Sequence, residues 1–126
     1  MKVALDTNAY VDFCRGVPSV VSILQSAHLI YLPYIVLGEL RAGFLSGTKA
    51  KENDRILTRF LHGSRVRELY PDEQTVHHYA RLYTQLRDQG TPIPTNDLWI
   101  ASIALQHNLV LITRDAHFDV IPQLAR

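Results

Sequence analysis

Short unbroken apolar runs alternate along this chain with longer stretches whose apolar residues recur at helical spacing. Val3-Ala4-Leu5 is the first run and predicts a buried strand ending at Asp6. Leu29 to Leu32 and Leu109 to Thr113 predict two more, and Val66 to Leu69, after Gly63, predicts a further short strand. Between them the spacing predicts helices. A short one, capped by Thr7 or Asn8, runs through Cys14 and is terminated by Gly16 and Pro18. A second covers Val17 to Ala27 with Val20, Val21, Leu24 and Ala27 on one face. A third has Pro33 in its first turn, runs to about Leu45 and stops at Gly47.

The stretch from Thr48 to Leu61 predicts a fourth helix. Its apolar face is Ile56, Leu57, Phe60 and Leu61, and Lys51, Arg55 and Arg59 form a basic row beside it. A long helix opens at Pro71-Asp72-Glu73, carries the stripe Val76, Tyr79, Ala80, Tyr83 and Leu86, and ends at Gly90. Two prolines stiffen the loop Thr91 to Pro94. A last long helix starts near Thr95-Asn96-Asp97 and runs to about Asn108, and a short turn surrounds Asp115 to Phe118. Strands alternating with helices predict an α/β fold, three-layer-like, with helices around a mostly parallel sheet. The ligand crevice of such a sheet lies outside the carboxyl ends of its strands.

Composition narrows the class. At 126 residues the chain is expected to form a single domain, 1–126. Cys14 is the only cysteine, which rules out an internal disulfide and fits a reducing, cytoplasmic setting. The start, Met1 to Asp6, reaches charge too early for a signal peptide. The longest apolar run, Leu29 to Leu37, holds Pro33 and is too short to cross a bilayer. A net charge of +1 disfavours a protein that holds nucleic acid by bulk charge and leaves room for a local basic patch.

The chemistry lies in four acids. Asp6 follows the first strand directly, and Asp115 stands two residues past the last one, so both are expected at the carboxyl edge of the sheet. Asp97 starts a helix, where the dipole favours a carboxylate. Glu39 sits on an apolar helix with Arg41 as its only charged companion between Pro33 and Leu45. Singly, each has an ordinary explanation: Asp6 as a helix cap, Asp97 as a helix-start acid, Glu39 as a partner of a nearby base, Asp115 as a turn residue. Together at one edge they repel, and some would take up protons unless a hard divalent cation offset the charge. A Mg²⁺-type site with waters suits phosphodiester hydrolysis.

Leu5-Asp6-Thr7-Asn8, Gly38-Glu39-Leu40, Asn96-Asp97 with Ile100-Ala101, and Thr113-Arg114-Asp115 with His117-Phe118, in this order, resemble the PIN-domain family. The length and the ending resemble its VapC-type toxins. The resemblance covers nearly the whole chain and implies an Mg²⁺- or Mn²⁺-dependent endoribonuclease. It also implies a homodimer and a cognate antitoxin that blocks the acidic pocket, with DNA contacted only indirectly through that antitoxin. By position, Asp6, Glu39, Asp97 and Asp115 match the family's acids, with Asp6 and Asp97 the foremost metal ligands. Thr113 matches a hydroxyl position near the pocket, and Asn8 and Asn96 match polar positions that brace the acids.

Other readings compete. A haloacid-type phosphatase needs an acid where Asn8 stands, and a receiver domain needs a lysine where Arg114 stands. A non-catalytic module on the same fold, or a nuclease acting on DNA, is separated only by experiment. The histidines lack zinc-ligand spacing. His117 reads as a packing residue of the last turn or as a substrate contact, and Trp99, Tyr79 and Tyr83 as core or dimer interface. The basic row, or Arg41 and Arg114 nearer the acids, is the candidate guide for RNA.

Overall fold

The structure, a computed structural model, describes residues 1–126. Four strands form one sheet: β1 (Lys2–Leu5), β2 (Leu29–Pro33), β3 (Val66–Leu69) and β4 (Val110–Ile112). Its order is β3-β2-β1-β4 and every pairing is parallel. Six helices flank it: α1 (Thr7–Cys14), α2 (Pro18–Ser26), α3 (Tyr34–Ser46), α4 (Ala50–Leu61), α5 (Glu73–Gln89) and α6 (Thr95–Gln106). A 3-10 turn, Ala116–Val120, closes the chain.

Helices cover the faces of the inner strands, which read as continuous apolar runs, whereas edge strand β3 exposes Arg67 and Glu68. Val3, Ala4 and Leu5 of β1 are fully buried, as are Leu32 on β2 and Leu111 on β4. From β1 the chain steps outward through β2 and β3, then returns to β4 on the opposite side of β1. That reversal makes the carboxyl ends of β1 and β4 the topological switch point, where α/β sheets bind ligands. Leu5 is paired with Ile112, so Asp6 and Thr113 leave the sheet side by side.

α6 is apolar on nearly every side, with Leu98, Ile100, Ala101, Ile103 and Ala104 all buried, as a helix enclosed by its neighbours must be. The tail folds back along the edge strand: Leu111 N–H donates to the Ala125 carbonyl at 2.9 Å, and Phe118, Ile121 and Leu124 are buried. An edge that would otherwise present unpaired backbone groups is thereby covered.

Several expected boundaries shift for local reasons. Helix α1 begins at Thr7, so its cap is Asp6, not Thr7 or Asn8; the Asp6 carboxylate accepts from Ala9 N–H. Pro33 is extended and is the last residue of β2, paired with Leu69, so α3 starts one residue later at Tyr34. Pro18 opens α2 rather than merely ending α1. Helix α4 starts at Ala50, two residues after the expected Thr48. Asn108 takes a left-handed φ of 54°, which ends the α6 connection and delays β4 to Val110.

The largest difference lies on α5. Its buried face is Thr75, Leu82 and Leu86, whereas Val76 and Tyr83 of the expected stripe are more than half exposed. Thr75 is buried because its polar groups are satisfied in place. It closes a capping box with Asp72, and its hydroxyl donates to Gln106 Oε1 on α6 at 2.5 Å. Aromatic packing rotates the helix further: Tyr79 stacks on Trp99 with centroids 4.1 Å apart, and Trp99 meets Tyr34 edge-on.

Candidate active site at the carboxyl edge

Four elements bring Asp6, Glu39, Asp97 and Asp115 to one region. Asp6 ends β1, Glu39 rides on α3, Asp97 lies in the first turn of α6, and Asp115 caps the 3-10 turn after β4. Each scaffold is anchored by its own apolar residues: Leu5, then Val36, Leu37 and Leu40, then Leu98, then Phe118. The sheet order and the return of β4 beside β1 therefore place acids that are far apart in sequence.

A chain of hydrogen bonds joins them. The Thr113 hydroxyl donates to Asp6 Oδ2 and accepts from Asp115 N–H at 3.0 Å. Asp6 Oδ1 accepts from Ala9 N–H at 2.8 Å, so both its oxygens are oriented. Asp115 Oδ1 accepts from His117 N–H at 2.9 Å. His117 Nδ1 lies 2.9 Å from Asp97 Oδ2 and 3.2 Å from Asp115 Oδ1. Glu39 is held at both oxygens: Thr7 Oγ1 donates to one at 2.6 Å, and Asn96 Nδ2 donates to the other at 3.2 Å. Asn8 is exposed and stands outside this network.

Two of these residues have roles the sequence did not signal. Thr7 was read only as a cap, yet it braces an acid 32 positions away. His117 reads from the sequence as packing or as a substrate contact, whereas the ring is half exposed and lies between two carboxylates. Only the tertiary arrangement of β1, α3 and α6 brings these pairs together, so no local periodicity points to them.

The electrostatics are strained. Burial pushes the Asp6 carboxyl above its usual 3.8, and the charges of Asp115 and Asp97 push it further, against hydrogen bonds from Thr113 and Ala9 that favour the ionised form. Asp97 is likewise raised, first by burial and then by Asp115 and Glu39, while the His117 contact opposes the shift. Arg114 pairs with Asp12 at 2.9 Å while remaining within electrostatic reach of Asp6, and Arg41 pairs with Asp54 at 3.1 Å. Lys51, Arg55 and Arg59 are exposed on α4. An apolar cavity of about 180 Å³, lined by Tyr79, Tyr83, Leu86 and Ile93 among others, contains none of the four acids.

A pH dependence follows from the sign of these shifts. An acid raised in the folded state binds more protons there than in the unfolded chain, so its contribution to stability falls as pH rises through the raised value. In metal-free protein, the melting temperature of Asp6→Asn relative to wild type is expected to climb as pH rises from below 3.8 towards neutrality. Paired thermal melts across that range check it, and a constant difference would remove the charge argument.

The donors fit a divalent cation. One atom each from Asp97, Asp115 and His117 lie within 4.8 Å of one another, and hard carboxylate oxygens dominate the set, with like charges on Asp6 and Glu39 in electrostatic reach.

Comparison with known proteins places the chain among similar molecules. A family model described as PIN domain matches residues 3–124. Ribonuclease VapC1 of Haemophilus influenzae is 34% identical over 116 residues, covering 88% of this chain and 84% of its own length. Ribonuclease VapC2 of Rickettsia felis is 33% identical, covering 95% and 92%. Among solved structures, VapBC2 of Rickettsia felis bound to a DNA fragment from its promoter superposes with a TM-score of 0.85. It is 32% identical, with 99% of this chain and 96% of that one covered. FitAcB of Neisseria gonorrhoeae gives a TM-score of 0.76 at 30% identity, covering 99% and 95%.

Proposed function

The chain belongs to the PIN-domain family, and from that premise we propose that it is a divalent-metal-dependent endoribonuclease, the toxin of a toxin–antitoxin pair. The observation that carries this reading is the convergence of Asp6, Glu39, Asp97 and Asp115 at the switch point of the sheet, with Asp6 and Asp97 raised by burial and by neighbouring acids. Carboxylates left in that state need a positive partner, and Arg114 and Arg41 are paired with Asp12 and Asp54.

The four acids would hold Mg²⁺ or Mn²⁺, Asp6 and Asp97 foremost. When bound, such an ion supplies Lewis-acid stabilisation of phosphate charge and a lower pKa for attacking water. The protein's own groups orient the ligands. Thr113 fixes the direction of the Asp6 carboxylate and the backbone of Asp115, and Thr7 with Asn96 fixes Glu39. Ala9 N–H, at the start of α1, holds the second Asp6 oxygen beside the positive end of a helix. The edge is open to solvent on the Asp115 and His117 side, so an extended phosphodiester strand has access.

RNA is the substrate because the relatives are named ribonucleases; the acids alone do not choose between RNA and DNA. Related proteins solved as VapBC and FitAcB complexes support a protein antitoxin as partner, through which DNA is contacted. A homodimer and a cytoplasmic location belong to the same proposal, as does a single domain spanning 1–126. No helix is long and apolar enough to cross a membrane.

The test incubates purified protein with structured RNAs and with single-stranded DNA, in Mg²⁺, Mn²⁺ or EDTA, beside Asp97→Asn. RNA cleavage that requires metal and is lost in the variant is expected. Equal cleavage of DNA would replace the ribonuclease reading with a general nuclease. Failure to bind Mn²⁺ in a manner dependent on Asp6 and Asp97 would leave a non-catalytic module.

A further inference from the structure

In the cluster of Asp97, Asp115 and His117, His117 alone offers a nitrogen lone pair, and its placement is specific. Its Nδ1 stands 2.9 Å from an Asp97 oxygen and 3.2 Å from an Asp115 oxygen. A single N–H cannot point straight at both, since hydrogen bonds weaken steeply away from linearity. The nitrogen instead stands from each oxygen as one corner of a coordination octahedron stands from its neighbours. Metal bonds near 2.1 Å meeting at right angles put neighbouring donors about 3 Å apart. The ligand atoms of Asp97, Asp115 and His117 all lie within 4.8 Å of one another, so a small closing movement brings them around one ion.

The ring is held there by the backbone. His117 N–H donates to the same Asp115 oxygen that faces its Nδ1, which fixes the side chain over that carboxylate. The next residue, Phe118, is fully buried and pins the turn to the core. The half-exposed ring therefore faces the acids without needing a packed pocket of its own.

We propose, building on the metal-dependent reading above, that His117 Nδ1 is a direct ligand of the bound cation, so that the site takes Mn²⁺ ahead of Mg²⁺. Mg²⁺ keeps to oxygen donors, whereas imidazole suits first-row transition ions. A site built of Asp97, Asp115 and His117 thus carries a selectivity that four carboxylates alone would not give. Asp6, whose oxygens are directed by Ala9 and Thr113, completes the charge without altering the donor type.

The experiment loads full-length protein with Mn²⁺ and reads electron spin echo modulation for directly bonded ¹⁴N. It measures Mn²⁺ and Mg²⁺ affinity by calorimetry in wild type, His117→Gln and Asp97→Asn. Expected are a nitrogen coupling in wild type that vanishes in His117→Gln, and a loss of Mn²⁺ affinity of roughly tenfold or more in that variant. Mg²⁺ affinity should change much less, because glutamine offers an oxygen. Mn²⁺ bound with no nitrogen coupling, and equally well by His117→Gln, would overturn the His117 role and leave the carboxylate site standing. Mn²⁺ binding that is absent, or indifferent to Asp97→Asn, would overturn both.

Discussion

Asp6→Asn is expected to lose RNA cleavage by roughly 10³-fold while melting at a higher temperature than wild type in metal-free buffer at neutral pH. Both effects come from one charge. The amide keeps what the fold needs from this position. Asparagine caps a helix as well as aspartate does, so the bond from Ala9 N–H survives. The amide nitrogen then faces Thr113, whose hydroxyl can accept as well as donate. What disappears is a carboxylate that burial and the charges of Asp115 and Asp97 hold above its usual range, and with it the cost of ionising it.

Each kcal/mol relieved raises the midpoint by roughly 3–6 °C in a chain of this size. Cleavage falls because a ligand that positions the cation is worth several kcal/mol of transition-state charge stabilisation, and each 1.36 kcal/mol is about tenfold in rate. Saturating metal should reverse the order of melting. At about a hundred times its dissociation constant a bound ion adds about 2.7 kcal/mol to wild type, and the variant gains little. Cleavage assays and melts with Mn²⁺ or EDTA test the two halves separately. Wild-type cleavage in Asp6→Asn would remove Asp6 from the site, and a lower metal-free midpoint would refute the repulsion argument.

The ease of reading this protein from its sequence differs between elements, for physical reasons. Strands β1, β2 and β4 read as apolar runs, and β3, with Arg67 and Glu68 exposed, as a short segment after Gly63, so the alternation with helices and the α/β architecture were legible. The acids were legible because strand ends mark the ligand edge of a parallel sheet, and Asp6 and Asp115 stand beside such ends. What connects the acids was not. Thr113 and Asp6 meet because Leu5 pairs with Ile112, a register that only the folded sheet defines. Thr7 reaches Glu39, and His117 reaches Asp97, across elements whose relative placement no periodicity encodes.

Helix α5 fails in the opposite direction. Its stripe was visible, but Val76 and Tyr83 face solvent. The capping box at Asp72 and the bond from Thr75 to Gln106 set the rotation of the helix, and a polar residue takes the buried place. Pro33 misled by one residue because proline suits both a helix start and the end of a strand whose next N–H is not needed.

Phe118→Ala is expected to destabilise the fold by about 3–5 kcal/mol, the range for emptying a buried aromatic site, and to lower the midpoint by more than about 10 °C. Against a typical total of 5–15 kcal/mol this is a large share. Its interest lies in where the loss is felt. Strand β4 has only three residues, and the turn after it carries Thr113, Asp115 and His117 in quick succession. Phe118, fully buried, is the first core residue beyond them, and Ile121 and Leu124 continue the anchor.

Without the ring, the backbone that sets the contacts from His117 to Asp97 and Asp115 loses its nearest support. Mn²⁺ affinity should therefore fall at temperatures where the protein is still folded. Leu57→Ala supplies the comparison, since Leu57 is equally buried but lies on α4, away from the acids. It should cost about 2–5 kcal/mol and leave Mn²⁺ affinity unchanged. Urea unfolding paired with Mn²⁺ titration on both variants decides the matter. If both truncations weaken metal binding alike, the effect is global softening, and Phe118 has no special hold on the site. If only Phe118→Ala does, a single apolar side chain couples the core to the geometry of the carboxylate edge.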